Sequence, residues 1–297
     1  MMIECYFDDS SDDRRAKYYA CGGLLGSQEQ WDFFDILWHT HTHSLKEPFR
    51  AANCEGGHGQ FEDWPKPMRD DLMARLVNVI YGVRLFGFAS VVPVAEFECV
   101  FPSLGKERAF GLAATQAIFN AAHIADRVGM DVHLWFEQGQ IGIVSSAYES
   151  VRMLNWKPAQ RLRGISFDTK HLRPLQGADL IAREAYKHMD NLGVRPTRIP
   201  IHEMWENLFF MLWTEGSLRY VAAQGWPENP ECLAKFSDPP PGARIQHFWE
   251  KSWAYHEQKA KSIRELSSGH GSPTESAARG DQGEAGRGES GEKAEES

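Results

Sequence analysis

The chain has 297 residues, 42% of them hydrophobic, with 32 basic and 41 acidic residues giving a net charge of −9. These proportions exclude a collagen-like, wholly disordered or miniature disulfide-held protein, and 10 Trp with 17 Phe suffice for a large core. There is no run of about 18 apolar residues, so no membrane span is expected. The opening Met1-Met2-Ile3-Glu4-Cys5-Tyr6-Phe7-Asp8 has neither the basic nor the apolar region of a secretory signal, so a cytoplasmic protein with five reduced cysteines is expected.

Residues 3–8 alternate, with Ile3, Cys5 and Phe7 facing one way and Glu4, Tyr6 and Asp8 the other, which predicts a strand. A polar cluster and the β-prone stretch 17–25 complete a hairpin. Residues 28–43 read as a Trp-rich helix, 49–64 as a Gly-rich loop, and 67–81 as an amphipathic helix with Met68, Leu72, Leu76 and Ile80 on one side. A strand is expected over 83–94 and a long helix over 106–128. Residues 131–137 alternate again, Val132, Leu134 and Phe136 against His133, Trp135 and Glu137. A helix over 143–154, a short strand over 164–168 and a helix over 174–189, with Pro174 in its first turn, follow. Two further helices are expected over 203–214 and 246–266.

Residues 267–297 contain no aromatic or large aliphatic side chain and carry seven acids against three bases, which predicts a disordered acidic tail. The whole is an α/β domain over 1–266: a mixed five-stranded sheet flanked by helices, with a helical insertion at about 28–82 and a C-terminal helical extension at about 203–266. The first three strands form a meander and the later ones pair in parallel.

Ligands of open α/β sheets gather at the carboxyl ends of strands. Asp8 ends the first strand and Glu137 the fourth, and Asp179 lies one turn into a late helix. If strands one and four are parallel neighbours, these acids converge. Converging carboxylates repel, and Mg²⁺ or Mn²⁺ removes that conflict through hard oxygen ligands. Each acid also has a structural reading: Asp8 in a polar turn, Glu137 at an exposed strand end, Asp179 paired with Arg183 at i+4. Asp9 stands next to Asp8. Asp168 is a fourth ligand or a helix cap, and Gln176 bonds either a ligand or the first-strand backbone.

Residues 152–198 hold ten bases and four acids, a basic strip whose Lys157, Arg161, Arg163, Lys170 and Arg173 suit a nucleic-acid backbone. His39, His41 and His43, like Cys54 with His58, lack the spacing of a metal site. The aromatic run Trp205, Phe209, Phe210 and Trp213 reads as core or a dimer face, and Trp249 and Trp253 as the docking side of the last helix.

Tyr6-Phe7-Asp8-Asp9-Ser10, Gly22-Gly23-Leu24-Leu25, Leu134-Trp135-Phe136-Glu137, Ile165-Ser166-Phe167-Asp168 and Leu175-Gln176-Gly177-Ala178-Asp179-Leu180-Ile181-Ala182 together resemble the domain-of-unknown-function 3800 family. That family is similar to the ribonuclease H-like superfamily. The resemblance spans residues 2–190 and implies Asp8, Glu137 and Asp179 as metal-binding acids. Gly59-Gln60-Phe61 resembles one subgroup, although Arg50 and Asn53 stand where that subgroup implies a His and an acid, and Asp9 replaces a commoner Glu. The expected function is a Mg²⁺- or Mn²⁺-dependent nuclease. Its alternatives are a non-catalytic nucleic-acid or protein binding module, and a hydrolase of small nucleotide substrates. The oligomeric state is open.

Overall fold

Alternation along the first strand divides its side chains between two helical layers. In the computed structural model, which describes residues 2–12, 14–191 and 208–236, β1 (Met2–Ser11) buries Ile3, Cys5 and Phe7 in one apolar cluster and Tyr6 in another. The chain divides into Met1–His256 and Glu257–Ser297, and every described residue lies in the first of these.

β1 pairs antiparallel with β2 (Tyr18–Gly26), and β2 pairs antiparallel with β3 (Phe86–Pro93), which is the expected meander. β4 (Asp131–Glu137) runs parallel to β1, and β5 (Leu162–Asp168) runs parallel to β4. A sixth strand, β6 (Leu208–Leu212), lies parallel to β3, so the order across the sheet is β5-β4-β1-β2-β3-β6. Six strands replace the expected five, because the helix predicted at 203–214 is, where it is described, this strand. Leu208-Phe209-Phe210-Met211-Leu212 is a short apolar run that periodicity cannot assign to helix or strand. The edge of β3, buried along its whole length, offers that run backbone partners.

Helices α1 (Gln28–Thr42), α3 (Lys66–Val83), α5 (Glu107–Arg127), α6 (Ile141–Arg152) and α7 (Arg173–Asn191) fall where expected within a few residues. Ser27 and Gln30 form a reciprocal capping box that starts α1. The loop expected at 49–64 is corrected. It contains α2 (Ala51–Gly56) and a 3₁₀ turn at Gly59–Phe61. Phe49 and Phe61, both fully buried, tie it to Trp38 of α1. Helices α4 (Val94–Val100) and α8 (Glu215–Ala223) complete the described α-helices. The helix expected at 246–266, the tail at 267–297 and residues Trp205, Trp249 and Trp253 lie outside the described residues.

Residues from α5, α6 and α8 pack with the sheet face that carries Phe7, while residues from α1, α3 and α7 pack on the face that carries Tyr6. Helix α5 lies close to the sheet because its inner stripe is largely alanine, including Ala109, Ala113, Ala117 and Ala121. Cys5, Cys21 and Cys54 are buried and free, and burial pushes their thiols up, so they act as small core groups. Among the described residues no helix is long and apolar enough to cross a membrane.

Candidate metal centre

Parity and register together place the first two acids. Phe7 pairs with Phe136 across the parallel β1–β4 ladder, so Asp8 and Glu137 are the next residue on each strand. Both share parity with Tyr6 and Trp135, which stack at 5.9 Å on the α7 side of the sheet. Helix α7 packs across β1 and β2 on that side and brings Asp179 to the same end.

What these acids meet there is Lys170. Its ammonium lies 2.8 Å from Asp8 Oδ2, 3.1 Å from Asp179 Oδ1 and 3.9 Å from Glu137 Oε1. The lysine side chain is only 6% exposed, against 1% for Asp8 and 10% for Asp179. The three acids predicted from the sequence therefore do converge, around a cation from the turn after β5. The Lys170 ammonium is thus the ionic partner of the buried Asp8 Oδ2. Asp8 Oδ1 accepts from the Asp9 amide at 2.8 Å.

Oxygens of Asp8, Asp9 and Glu137 lie within 4.8 Å of one another, the tightest arrangement of possible metal ligands among the described residues. Asp9 thus stands where Asp179 is expected as the third member. The β1–β4 ladder ends at Phe7 and Phe136, one residue before Asp8 and Glu137. Asp179 is held one step away. Its Oδ2 accepts the Ala51 amide at 2.5 Å, and its Oδ1 faces Lys170.

One ammonium among these carboxylates leaves negative charge in excess, and the carboxyls respond to it. Burial drives the Asp8 carboxyl well above its usual range; Lys170 works against that and Asp179 adds to it. Burial likewise raises Asp9, with Lys170 opposing and Glu137 adding. Burial alone would lower Lys170, but Asp179, Asp8 and Glu137 reverse this and hold the ammonium charged. The residues fit a hard divalent cation. They offer converging carboxylate oxygens and negative charge in excess of the one ammonium among them.

The remaining predicted residues have definite places. Asp168 Oδ1 accepts the Thr169 amide at 2.7 Å and turns the chain toward Lys170. Gln176 is engaged within the protein away from the β1 backbone: its amide nitrogen donates to the Lys170 carbonyl at 2.7 Å and its oxygen accepts from Trp38 Nε1 at 2.8 Å. Gln176→Ala strands a buried indole N–H and a carbonyl, so a loss of about 2 kcal/mol in urea unfolding is expected, with Mn²⁺ uptake retained.

Among the described residues, the strip cations expected to hold a nucleic-acid backbone have acidic partners. Lys157 and Arg161 meet Asp126, Arg163 meets Asp131, and Arg173 meets Asp35. Lys170 belongs to the acid cluster rather than to a polyanion track. His39 Nδ1 contacts Arg173, and Cys54 Sγ contacts the Arg69 carbonyl.

Lys170 is read from the sequence as a cation of the basic strip, after the fifth strand, and its place among the acids comes from the structure; Arg50 is legible only as a departure within the insertion. Arg50 opens α2, and its guanidinium lies 3.8 Å from Glu137 Oε1. Compared with family models, curated proteins and solved structures, the chain finds no match.

Proposed function

We propose that this protein is a divalent-metal-dependent hydrolase of phosphodiester bonds with a ribonuclease H-like arrangement. The observation that carries this is the convergence of oxygens of Asp8, Asp9 and Glu137 within 4.8 Å of one another beside the carboxyl ends of β1 and β4. An antiparallel β1-β2-β3 meander beside parallel β1, β4 and β5, with acids at the carboxyl ends of β1 and β4, supports the fold reading.

Asp8, Asp9 and Glu137 would hold Mg²⁺ or Mn²⁺, with Asp179 the acid behind Lys170. Such an ion supplies Lewis acidity, which acidifies water and offsets charge on a phosphoryl oxygen. Asp8 is fixed by the Asp9 amide and Asp179 by the Ala51 amide, so both carboxylates are oriented before substrate arrives. Lys170, charged and buried, stabilises negative charge that develops on an oxygen at the cluster.

The test is cleavage of labelled single- and double-stranded DNA and RNA, and of a small phosphodiester, with Mn²⁺ and with EDTA. Asp8→Asn is expected to lower the metal-dependent rate by about 10² or more. Cleavage that persists in EDTA or in this variant overturns the reading.

A binding module without turnover has one observation in its favour: the Lys170 ammonium already gives three carboxylates a cation of the protein's own. Calorimetric titration separates the two. Mn²⁺ uptake that disappears in Asp8→Asn supports the hydrolase, and absence of uptake supports the module.

A further inference from the structure

Resting on that hydrolase reading, we propose that Arg50 is the substrate-side cation of the site, taking non-bridging oxygens of the phosphodiester. The acid cluster has a closed side and an open one. Asp8 and Lys170 are almost wholly buried, whereas Glu137 is 21% exposed and Arg50 is 51% exposed. An anion arriving from solvent therefore meets Glu137 and Arg50 first. Asp8, Asp9, Glu137 and Asp179 would repel it, so a cation on the open side is what its approach requires.

Arg50 is placed to serve. The strip cations are matched to Asp126, Asp131 and Asp35, and Lys170 is enclosed by acids. The Arg50 guanidinium has one ionic partner, Glu137 at 3.8 Å, which is beyond hydrogen-bond length, so its fork of donors is unspent. Its base is fixed all the same. The residue is extended at the start of α2 (φ −132°, ψ 120°), and the next amide is bonded to Asp179. The far end of α2 is held by Arg69, which donates to the Cys54 and Glu55 carbonyls at 2.8 and 2.6 Å, and by Arg183 against the Glu55 carboxylate at 2.7 Å. An anchored backbone with an exposed planar tip suits bidentate capture of a phosphate.

The experiment compares wild type, Arg50→Lys and Arg50→Met in Mn²⁺, with a fluorescein-labelled oligonucleotide and bis(p-nitrophenyl) phosphate as probes. Mn²⁺ affinity is measured by calorimetry on the same samples. Arg50→Met is expected to raise KM for the oligonucleotide by about tenfold or more while Mn²⁺ affinity stays within about twofold, and Arg50→Lys to fall between. An unchanged KM in an active Arg50→Met enzyme overturns the role of Arg50 and leaves the hydrolase reading standing. So does a loss of Mn²⁺ affinity as large as the change in KM, since Arg50 would then act only through Glu137. A wild-type protein that cleaves neither probe overturns the hydrolase reading and Arg50's role with it.

Discussion

Lys170→Met is expected to turn an ordinary fold into a metal-dependent one. The substitution keeps a long unbranched side chain in place but removes the ammonium lying among Asp8, Glu137 and Asp179. Breaking a buried ion pair by deleting one partner costs about 3–5 kcal/mol, because the remaining charge stays buried and uncompensated. For a chain of this size that corresponds to a fall in Tm of roughly 10 °C in EDTA. Mn²⁺ should restore most of it, since the cation returns the missing charge and binds only the folded state.

The loss should also depend on pH with a definite sign. The Asp8 carboxyl is already raised in the folded protein, and Lys170 is what works against that rise. An acid with a raised folded value contributes stability that is fully present below its unfolded value and is lost as pH rises through its folded value. Without the ammonium that folded value climbs further. Hence the variant in EDTA should be relatively more stable in mild acid than above neutrality. Calorimetric scans in EDTA and in Mn²⁺ across that range check this; a Tm in EDTA matching wild type would show that Lys170 does not balance the carboxylates.

The second large effect comes from a residue with no chemistry of its own. A Cβ on Gly22 would lie 2.3 Å from the Ala182 nitrogen and 2.5 Å from its Cα. Both are backbone atoms of α7, so no rotamer change relieves the clash, and the helix must move off β2. Overpacking of this kind costs about 3 kcal/mol. Asp179 lies one turn before Ala182 on α7, so the displacement also withdraws its carboxylate from Lys170 and from the Ala51 amide. Gly22→Ala should therefore lower both stability and Mn²⁺ affinity. Gly82→Ala is the control. Nothing lies within 4 Å of a Cβ there, and the change within α3 should stabilise by about 0.5–1 kcal/mol. If Gly22→Ala unfolds at the same denaturant concentration as wild type, the close approach of β2 and α7 does not set the position of Asp179.

The strands that hold the acids were readable one at a time. Alternation along Ile3–Asp8 and along Val132–Glu137 gave each strand's faces, and Pro174 with the apolar stripe of α7 gave the helix that carries Asp179. These are local properties, since side-chain direction repeats every 2 residues in a strand and every 3.6 in a helix. Convergence of Asp8 and Glu137 followed from them only if β1 and β4 were parallel neighbours, which is what the pairing shows.

The rest is decided by packing between distant segments. No periodicity joins Lys170 to Asp8, or the Ala51 amide to Asp179 across 128 residues of chain. The strip from Lys157 to Arg173 looked like a polyanion track because its partners Asp126, Asp131 and Asp35 lie outside it in sequence. β6 looked helical because a five-residue apolar run carries no period of its own, and only the edge of β3 makes it a strand. Sequence by itself determined the α/β class, most of the elements and which acids share a sheet face, because those depend on neighbours along the chain. The tertiary structure alone decided that Lys170 is enclosed by those acids, that Asp9 joins them and that Arg50 lies 3.8 Å from Glu137, because charge is balanced in space.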